Sequence, residues 1–260
     1  MTGDRPDPRS RFSGRVEAYV RSRPGYPEGL IPLLEREAGL RKPHTVADVG
    51  SGTGILTRMF LDYGNEVYAV EPNEKMRAAA EAAFEAIPLF RSVDGSAEAT
   101  TLPAESVDLA VAGQAFHWFD REAARAEFAR ILRPPRPVAL VWNDRRTSGS
   151  AFAERYEALL RRHGTDYGAV DHKNLGDDAF ESFFRPGPWK RFALPNRQVL
   201  DEDGLRSRLL SSSYTPPPGD PRHAPMLDDL ARLFRETSDN DVVVMEYDTT
   251  VYVGRVDASD

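Results

Sequence analysis

Apolar and polar positions between Thr45 and Trp142 follow two alternating patterns. Short apolar runs predict buried strands, and longer segments whose apolar residues recur every three or four positions predict amphipathic helices. The predicted strands are Thr45–Val49, Glu66–Val70, Leu89–Val93, Val107–Ala112 and Val138–Trp142. The predicted helices are Ile55–Tyr63, which Gly64 ends, Asn73–Ala86 and Arg121–Leu132.

The order of these elements predicts the architecture. Strands that alternate with helices of this length are typical of a parallel sheet with right-handed crossovers. We therefore expect a doubly wound α/β fold with helices on both faces of the sheet. Little helical pattern separates the third strand from the fourth, so we expect that crossover to be short or irregular.

The flanking segments follow other patterns. Residues Arg15 to Leu40 predict two amphipathic cover helices with a break between Pro24 and Pro27. After the fifth strand, the predicted helices are Ala151–His163, Asp177–Phe184, Gly204–Leu210 and Met226–Glu236. Two more strands are predicted at Arg191–Leu200 and Val242–Val253, and the second is expected at or near the sheet edge.

The composition of the chain excludes several kinds of chemical site and makes some kinds of binding partner unexpected. The 260 residues include no cysteine, which excludes disulfides, thiolate metal sites and cysteine nucleophiles. The formal charge is −7 with no long basic run, so we expect no nucleic acid and no anionic membrane as a partner. The N-terminal residues lack the apolar stretch of a signal peptide, so a cytoplasmic protein is expected. It is expected to be a monomer or a homodimer.

The strongest chemical signal is the run from Asp48 to Gly54, which reads Asp-Val-Gly-Ser-Gly-Thr-Gly between a strand and a helix. Glycines let the backbone turn tightly and approach a ligand, although a glycine-rich turn can also be purely structural. A dinucleotide fingerprint needs its third glycine five residues after the first, where this chain has Ile55. Asp48 would repel a pyrophosphate and attract an ammonium group. The loop therefore favours a nucleoside that carries an amino acid.

Glu71 is the second signal, because it directly follows an apolar strand. An acid at this position can accept hydrogen bonds from both ribose hydroxyls. The alternative is an acid that only interacts favourably with the N-terminus of the following helix. The preceding glycine loop favours the ribose role.

These motifs resemble motif I and the following acidic motif of class I S-adenosylmethionine-dependent methyltransferases. The similarity continues through Gly95–Glu98, Ser106–Leu109 and Gln114–Phe119, and it resumes at Tyr247–Arg255. The Ala-Phe-His-Trp-Phe block and the upstream Arg23–Pro27 segment resemble the trans-aconitate methyltransferase-like subgroup. One departure is the glycine-free turn Leu132–Pro137, which must be built differently from the family's usual turn.

The resemblance implies a Rossmann-like fold of one domain with a seven-stranded, mostly parallel sheet and a helical lid after the fifth strand. Its expected parts are a mobile tail (1–12), cover helices (13–40), a cofactor-binding core (45–143), a lid with the sixth strand (144–240) and the last strand (241–255).

The resemblance also implies S-adenosylmethionine as the cofactor and places residues around it. Its methionine portion is assigned to Asp48, Gly50 and Gln114, with Gln114 facing the transferred methyl, and its ribose to Glu71. The rest of the loop is assigned to Ser51, Gly52 and Gly54. The adenine is assigned to Pro72, Met76, Ser96, Ala97 and Glu98, and closure over the cofactor to Tyr19 and Arg23.

The sequence indicates the residues that would bind the methyl acceptor less clearly. His117 and Trp118 follow the fourth strand, and Trp142, Asn143 and Tyr214 are further candidates for the acceptor site. His117 can act as a general base, orient an acceptor carboxylate, or only satisfy a hydrogen bond in the core. The other histidines show no metal-ligand spacing, so no metal site is expected.

The resulting hypothesis is methyl transfer to a small-molecule acceptor, with O-methylation of a carboxylate or hydroxyl expected. Three alternatives remain open. These are an NAD-dependent oxidoreductase, a protein that binds the cofactor without catalysis, and a reaction that consumes the cofactor without methylating a second molecule.

Overall fold

The computed structural model describes residues 22–165, 167 and 176–257. Tyr19 and the predicted tail therefore lie outside the described residues. The strands are β1 (Thr45–Val49), β2 (Glu66–Val70), β3 (Phe90–Val93), β4 (Leu109–Gly113), β5 (Pro137–Arg145), β6 (Lys190–Leu200) and β7 (Val243–Arg255). The helices described are α1 (Leu30–Ala38), α2 (Ile55–Tyr63), α3 (Glu74–Phe84), α4 (Arg121–Ile131), α5 (Ala151–His163), α6 (Asp177–Phe184), α7 (Glu202–Leu210) and α8 (His223–Thr237).

The strands form a seven-stranded sheet in the order β3-β2-β1-β4-β5-β7-β6. Strands β1 to β5 are parallel to one another, whereas β7 is antiparallel to both β5 and β6. The predicted doubly wound α/β fold is confirmed. The strand order reverses between β1 and β4, and in open α/β sheets ligands bind at the carboxyl ends of the strands beside such a reversal.

Helices cover both faces of the sheet because successive side chains of a buried strand point to opposite sides. In β5, Val138, Leu140 and Trp142 pack with α4 and α6, while Ala139 and Val141 pack with α1 and α2. A third apolar cluster joins α5, α7 and α8 to the first half of β7. Through Tyr247, which pairs with Arg145, this third cluster lies beside the carboxyl end of β5.

Several element boundaries differ from the predictions by one or a few residues, and two of the differences have clear local reasons. The side chain of Asn73 accepts hydrogen bonds from the N–H groups of Lys75 and Met76, so it caps α3 and the helix begins at Glu74. Val107 forms an isolated bridge with Leu132 and is not part of β4. The crossover between β3 and β4 contains no helix, as predicted.

The glycine-free turn before β5 is built around Arg136. This residue adopts a left-handed backbone conformation, with φ of 56°, and its N–H donates to the carbonyl of Arg133. Its guanidinium Nε also donates to the carbonyl of Ala129 at 3.0 Å. The arginine thus occupies a conformation that glycine usually adopts, and its side chain is fixed to the preceding helix.

Candidate functional site

The glycine loop between β1 and α2 adopts a conformation that excludes side chains. Gly50, Gly52 and Gly54 have φ values of 70°, 57° and 85°, all in the left-handed region. A Cβ on Gly50 would lie 2.7 Å from the Cβ of Ala115, and one on Gly54 would lie 2.3 Å from the ring of Phe84. The glycines are therefore required by backbone conformation and, at two positions, by close packing.

Asp48 lies at the end of β1, directly before the loop, and is fully buried. Its Oδ2 accepts a hydrogen bond from Thr57 Oγ1 at 2.6 Å, whereas its Oδ1 has no partner among the residues that the structure describes. The pKa of Asp48 is raised to about 7, mainly by burial and in part by the negative charge of Glu71, while the Thr57 hydrogen bond opposes the change. A buried carboxylate oxygen with no partner suits a cationic group such as an ammonium.

Glu71 fixes the glycine loop as well as facing the expected ribose site. Its Oε2 accepts from the N–H of Gly52 at 2.8 Å, and its Oε1 accepts from the N–H of Asn73 at 2.8 Å. Burial raises the pKa of Glu71, and these two hydrogen bonds lower it. Each carboxylate oxygen still has a free lone pair for a hydroxyl donor. Sequence reasoning identified Glu71 but missed its bond to the loop.

Two of the residues assigned to the adenine, Pro72 and Met76, lie near this carboxylate. Pro72 follows Glu71 and is half-buried, and Met76 on the first turn of α3 is buried. The Met76 sulfur would lie 3.8 Å from a Cβ on Gly52, so it forms an apolar wall beside the loop. Ser51 is also buried, and its N–H donates to the carbonyl of Val70.

Ser96, Ala97 and Glu98 form a tight turn that packs against the same region. The N–H of Ser96 donates to the carbonyl of Ala99, and Ala97 is buried in the cluster under α4. One carboxylate oxygen of Glu98 accepts from the N–H of Asp120 at 2.9 Å. This bond fixes the turn to the start of α4 and leaves the second oxygen of Glu98 available.

Gln114 directly follows β4 and has a strained backbone, with φ of 59°. Its N–H donates to the carbonyl of Val141, and its side-chain Nε2 donates to the carbonyl of Asn143 at 3.3 Å. A non-glycine residue in the left-handed region is uncommon and persists only where its surroundings fix it. The preceding residue, Gly113, is covered by Tyr26, whose hydroxyl would lie 2.4 Å from a Cβ there. Tyr26 is a neighbour of the site that the sequence predictions did not include.

The segment around Arg23 lies between the sheet and α7. Arg23 Nη2 donates to the carbonyl of Ser211 at 3.1 Å. The carbonyl of Gly25 accepts from the side-chain amides of Asn143 and Asn196, at 3.1 and 2.8 Å. The predicted closing segment is therefore fixed at the carboxyl edge of the sheet, while Tyr19 belongs to the part of the chain that is not described.

Two of the predicted acceptor residues, Trp142 and Asn143, make contacts that stabilise the fold. Trp142 is 2% exposed, and its ring packs against those of Phe116, Phe180 and Tyr252 in the core. Its contact with an acceptor stays a prediction. The side-chain oxygen of Asn143 accepts from two neighbours, and its amide donates to a backbone carbonyl. Asn143 therefore joins β5, β6 and β7 to the N-terminal segment.

His117 and Trp118 lie on a short 3₁₀ helix, Phe116–Trp118, directly after Gln114 and Ala115. Both are half-buried, and their ring centroids are 4.9 Å apart. Tyr214 lies farther along the lid, where its ring meets that of Tyr167 at 5.0 Å. The roles of these three residues at the acceptor remain predictions.

Two absences apply to the described residues only. Nowhere in that part of the chain do three or more histidine, aspartate or glutamate side chains form a group that could hold a metal ion. Within the same residues, no helix is both long enough and apolar enough to cross a membrane.

Comparisons with known proteins agree with this geometry. Residues 47–135 match the family described as a methyltransferase domain. An uncharacterised methyltransferase of Mycobacterium tuberculosis is 40% identical over 145 residues, which cover 56% of this chain and 57% of that protein. One of Schizosaccharomyces pombe is 36% identical over 152 residues, which cover 58% and 59%. The matches thus span less than two thirds of these relatives' own length.

A solved structure matches more of the chain. A protein from Anaeromyxobacter dehalogenans, described as a type II methyltransferase, has a TM-score of 0.66 and 25% identity over 91% of this chain and 99% of that one. The predicted fold class is confirmed, and residues 47–135 match the methyltransferase domain family that the sequence motifs resemble. This match agrees with the expected cofactor, S-adenosylmethionine. The narrower trans-aconitate methyltransferase-like subgroup stays a prediction.

Proposed function

We propose that this chain, whose residues 47–135 match the methyltransferase domain family, transfers a methyl group from S-adenosylmethionine to an oxygen of a small-molecule acceptor, either a carboxylate or a hydroxyl. The observation that carries the proposal is the pair of buried acids beside the glycine loop, Asp48 at the end of β1 and Glu71 directly after β2. Asp48 has an oxygen without a partner in the described residues, and Glu71 has spare acceptor capacity beside it. The two acids match an ammonium and a ribose.

The residues present fit this cofactor, which supplies an electrophilic methyl group on a sulfonium when bound. Asp48 would hold the ammonium, Glu71 the ribose hydroxyls, and Met76 the face of the adenine. The dinucleotide alternative is less favoured, because Ile55 begins α2 where a dinucleotide fingerprint has its third glycine.

The protein contributes alignment and exclusion of water. Gln114 follows β4 at the edge where the methyl group would lie, and its fixed backbone presents the side chain in one orientation. Alignment of an acceptor with the bond to be broken can supply several kcal/mol of the barrier. The segment around Arg23 and the helices α5, α7 and α8 would cover the site and exclude water from it.

His117 has a distinct role for each type of acceptor. A hydroxyl must lose its proton, which a nearby imidazole can accept. A carboxylate is already ionised at neutral pH and needs only orientation. His117 is half-buried and lies three residues after Gln114, which is compatible with either role.

A thermal-shift titration tests the cofactor assignment. S-adenosylmethionine and S-adenosylhomocysteine should each raise the melting temperature through binding to the folded state, and NAD should not. Mass spectrometry of candidate acceptors incubated with the protein and S-adenosylmethionine then tests transfer. Stabilisation by NAD alone would refute the methyltransferase assignment, and cofactor binding with no methylated product from any acceptor would favour the non-catalytic alternative.

A further inference from the structure

A buried arginine under the lid lacks an acidic partner. Arg208 on α7 is 6% exposed, and its guanidinium donates to two neutral groups, the Tyr247 hydroxyl at 3.3 Å and Ser212 Oγ at 3.0 Å. None of the described residues places a carboxylate within ion-pair distance of it, and its Nη2 forms no hydrogen bond with them. An arginine side chain stays charged at any ordinary pH. Buried charges in proteins are normally paired, so this guanidinium lacks a counter-charge.

A buried tyrosine hydroxyl belongs to the same region as Arg208. Tyr156 on α5 is 1% exposed, and its hydroxyl has no partner among the residues described. Burial raises the pKa of Tyr156, so its hydroxyl is neutral and remains a donor. Tyr156 interacts electrostatically with Arg208, and the Arg145 guanidinium lies 5.0 Å above its ring. A donor without an acceptor and a cation without an anion thus occupy one region.

Arg145 provides an internal comparison. Its Nη2 forms an ion pair with Glu157 at 2.5 Å and donates to the Tyr167 hydroxyl at 3.0 Å. The fold therefore neutralises one buried arginine of this region and leaves Arg208 with neutral partners. This difference indicates that the counter-charge of Arg208 comes from a ligand.

Arg208 is connected to the segment that closes the proposed site. The Tyr247 hydroxyl, which accepts from Arg208, donates to Gln198 Oε1, and Gln198 Nε2 donates to the carbonyl of Ser22. Ser22 in turn donates through its hydroxyl to the carbonyl of Ser207 on α7.

The same region lies at the edge of the sheet that holds Gln114. Tyr247 pairs with Arg145 in the antiparallel register of β5 and β7, two residues beyond Asn143. The carbonyl of Asn143 accepts from Gln114. Arg208 therefore lies on the lid side of the carboxyl edge, where an acceptor would enter.

We propose that Arg208 and Tyr156 bind a carboxylate of the methyl acceptor. A guanidinium donates two parallel hydrogen bonds to a carboxylate, and the Tyr156 hydroxyl supplies a further donor. This inference rests on the proposed function and names its substrate class as an organic carboxylate. An ion-paired carboxylate oxygen is a weakened nucleophile, so the bound group is the anchor. The acceptor therefore carries a second oxygen function, which receives the methyl.

Three variants of the full-length chain test the proposal. Arg208→Met removes the unpaired charge, and Tyr156→Phe removes only the hydroxyl without a partner. Arg206→Met is the matched control, since it removes the same charge from an exposed position of the same helix. Without ligand, neither Arg208→Met nor Tyr156→Phe should melt at a lower temperature than wild type. The first substitution removes a buried charge without a counter-charge, and the second removes a buried hydroxyl without a hydrogen-bond acceptor. A large fall in melting temperature for both would assign them a structural role and overturn the proposal.

The binding measurement uses acetate, succinate and benzoate, each beside its neutral amide, with S-adenosylhomocysteine present and ionic strength constant. At least one carboxylate should raise the melting temperature of wild type and Arg206→Met by about 2–4 °C at ten times its Kd, while its amide does not. Arg208→Met should weaken that binding about 10- to 100-fold, and Tyr156→Phe should weaken it less. Equal responses to carboxylate and amide, or an undiminished response in Arg208→Met, would overturn the proposal. Failure of S-adenosylhomocysteine to bind wild type would instead refute the proposed function.

Discussion

Replacement of Asp48 by asparagine should separate the stability of the fold from its affinity for the cofactor. Asparagine has nearly the same shape, and its side-chain oxygen can still accept the Thr57 hydroxyl that now donates to Asp48. The substitution removes only the negative charge. It also places an amide nitrogen where Asp48 Oδ1 has no described partner.

The size of the effect follows from the raised pKa of Asp48, which burial shifts from 3.8 to about 7. Below pH 3.8 the carboxyl is protonated in both the folded and the unfolded chain, so it has no pH-dependent effect on stability. Between that pH and about 7, only the unfolded chain ionises freely, and each pH unit costs the folded state about 1.4 kcal/mol. Above pH 7 the cost is constant at about 4 kcal/mol.

The asparagine variant escapes this pH-dependent cost but has an offset of its own. Its buried amide without an acceptor costs about 1–3 kcal/mol at every pH. The difference in unfolding free energy between variant and wild type should therefore increase by about 3 kcal/mol from pH 5 to pH 8, whatever the offset. Cofactor affinity should change in the opposite direction, falling about 10- to 100-fold as the ammonium loses its carboxylate.

Urea unfolding at several pH values between 5 and 8 measures the stability difference, and calorimetry with S-adenosylhomocysteine measures the affinity. Asp62→Asn is the control, because Asp62 is an exposed acid on α2 whose side chain is 59% accessible. The control should show the same pH dependence as wild type. A stability difference for Asp48→Asn that does not vary with pH would mean that the buried carboxyl ionises normally, and the reasoning would be wrong.

Three further substitutions test other parts of the site. Glu71→Gln should lower S-adenosylhomocysteine affinity more than tenfold and cost about 1–3 kcal/mol in urea unfolding, since its amide must face the N–H of Gly52 or Asn73; unchanged calorimetry would leave Glu71 only a structural role. Gly50→Ala should abolish detectable binding by displacing the loop, whereas Gly39→Ala, with a similar φ of 72° but open space around it, should lose stability alone. His117→Ala should raise the KM of a carboxylate acceptor with little change in kcat; a 10²–10⁴-fold fall in kcat would instead identify a general base, and early melting would identify a core residue.

Local sequence patterns were sufficient to predict the sheet and the glycine loop to which the cofactor is assigned. The alternation of strands and helices predicted the sheet, because each element's apolar pattern reflects the face that it buries. The run from Asp48 to Gly54 could be interpreted from spacing alone, because the left-handed backbone conformation of its three glycines is set within a single strand-to-helix turn. Glu71 follows the neighbouring strand, so parallel pairing brings it to the same edge.

The acceptor half depends on contacts between distant segments, which no local pattern encodes. Trp142 ends the predicted fifth strand, but β5 continues to Arg145, and the rings of Phe116 and Phe180 bury Trp142. That packing depends on where α6 lies. Arg208 resembles an ordinary charged position of an amphipathic helix. Its lack of a counter-charge becomes visible only when Tyr247 and Tyr156 are placed beside it.

Three features of this edge oppose folding: the buried acid Asp48, the strained backbone of Gln114, and the buried cation Arg208. In most of a folded protein, backbone conformation, packing and charge placement all favour the native structure. Residues that violate this agreement are concentrated at functional sites, where a bound ligand can compensate for the cost. The charges of Asp48 and Arg208 have opposite signs. Asp48 lies on β1, and Arg208 lies on the lid helix α7. Under the proposed function each matches one substrate, an ammonium on the cofactor and a carboxylate on the acceptor. Since each ligand would neutralise a charge whose burial destabilises the unliganded fold, stability without ligands at pH 8 should rise when either charge is removed, and the corresponding affinity should fall.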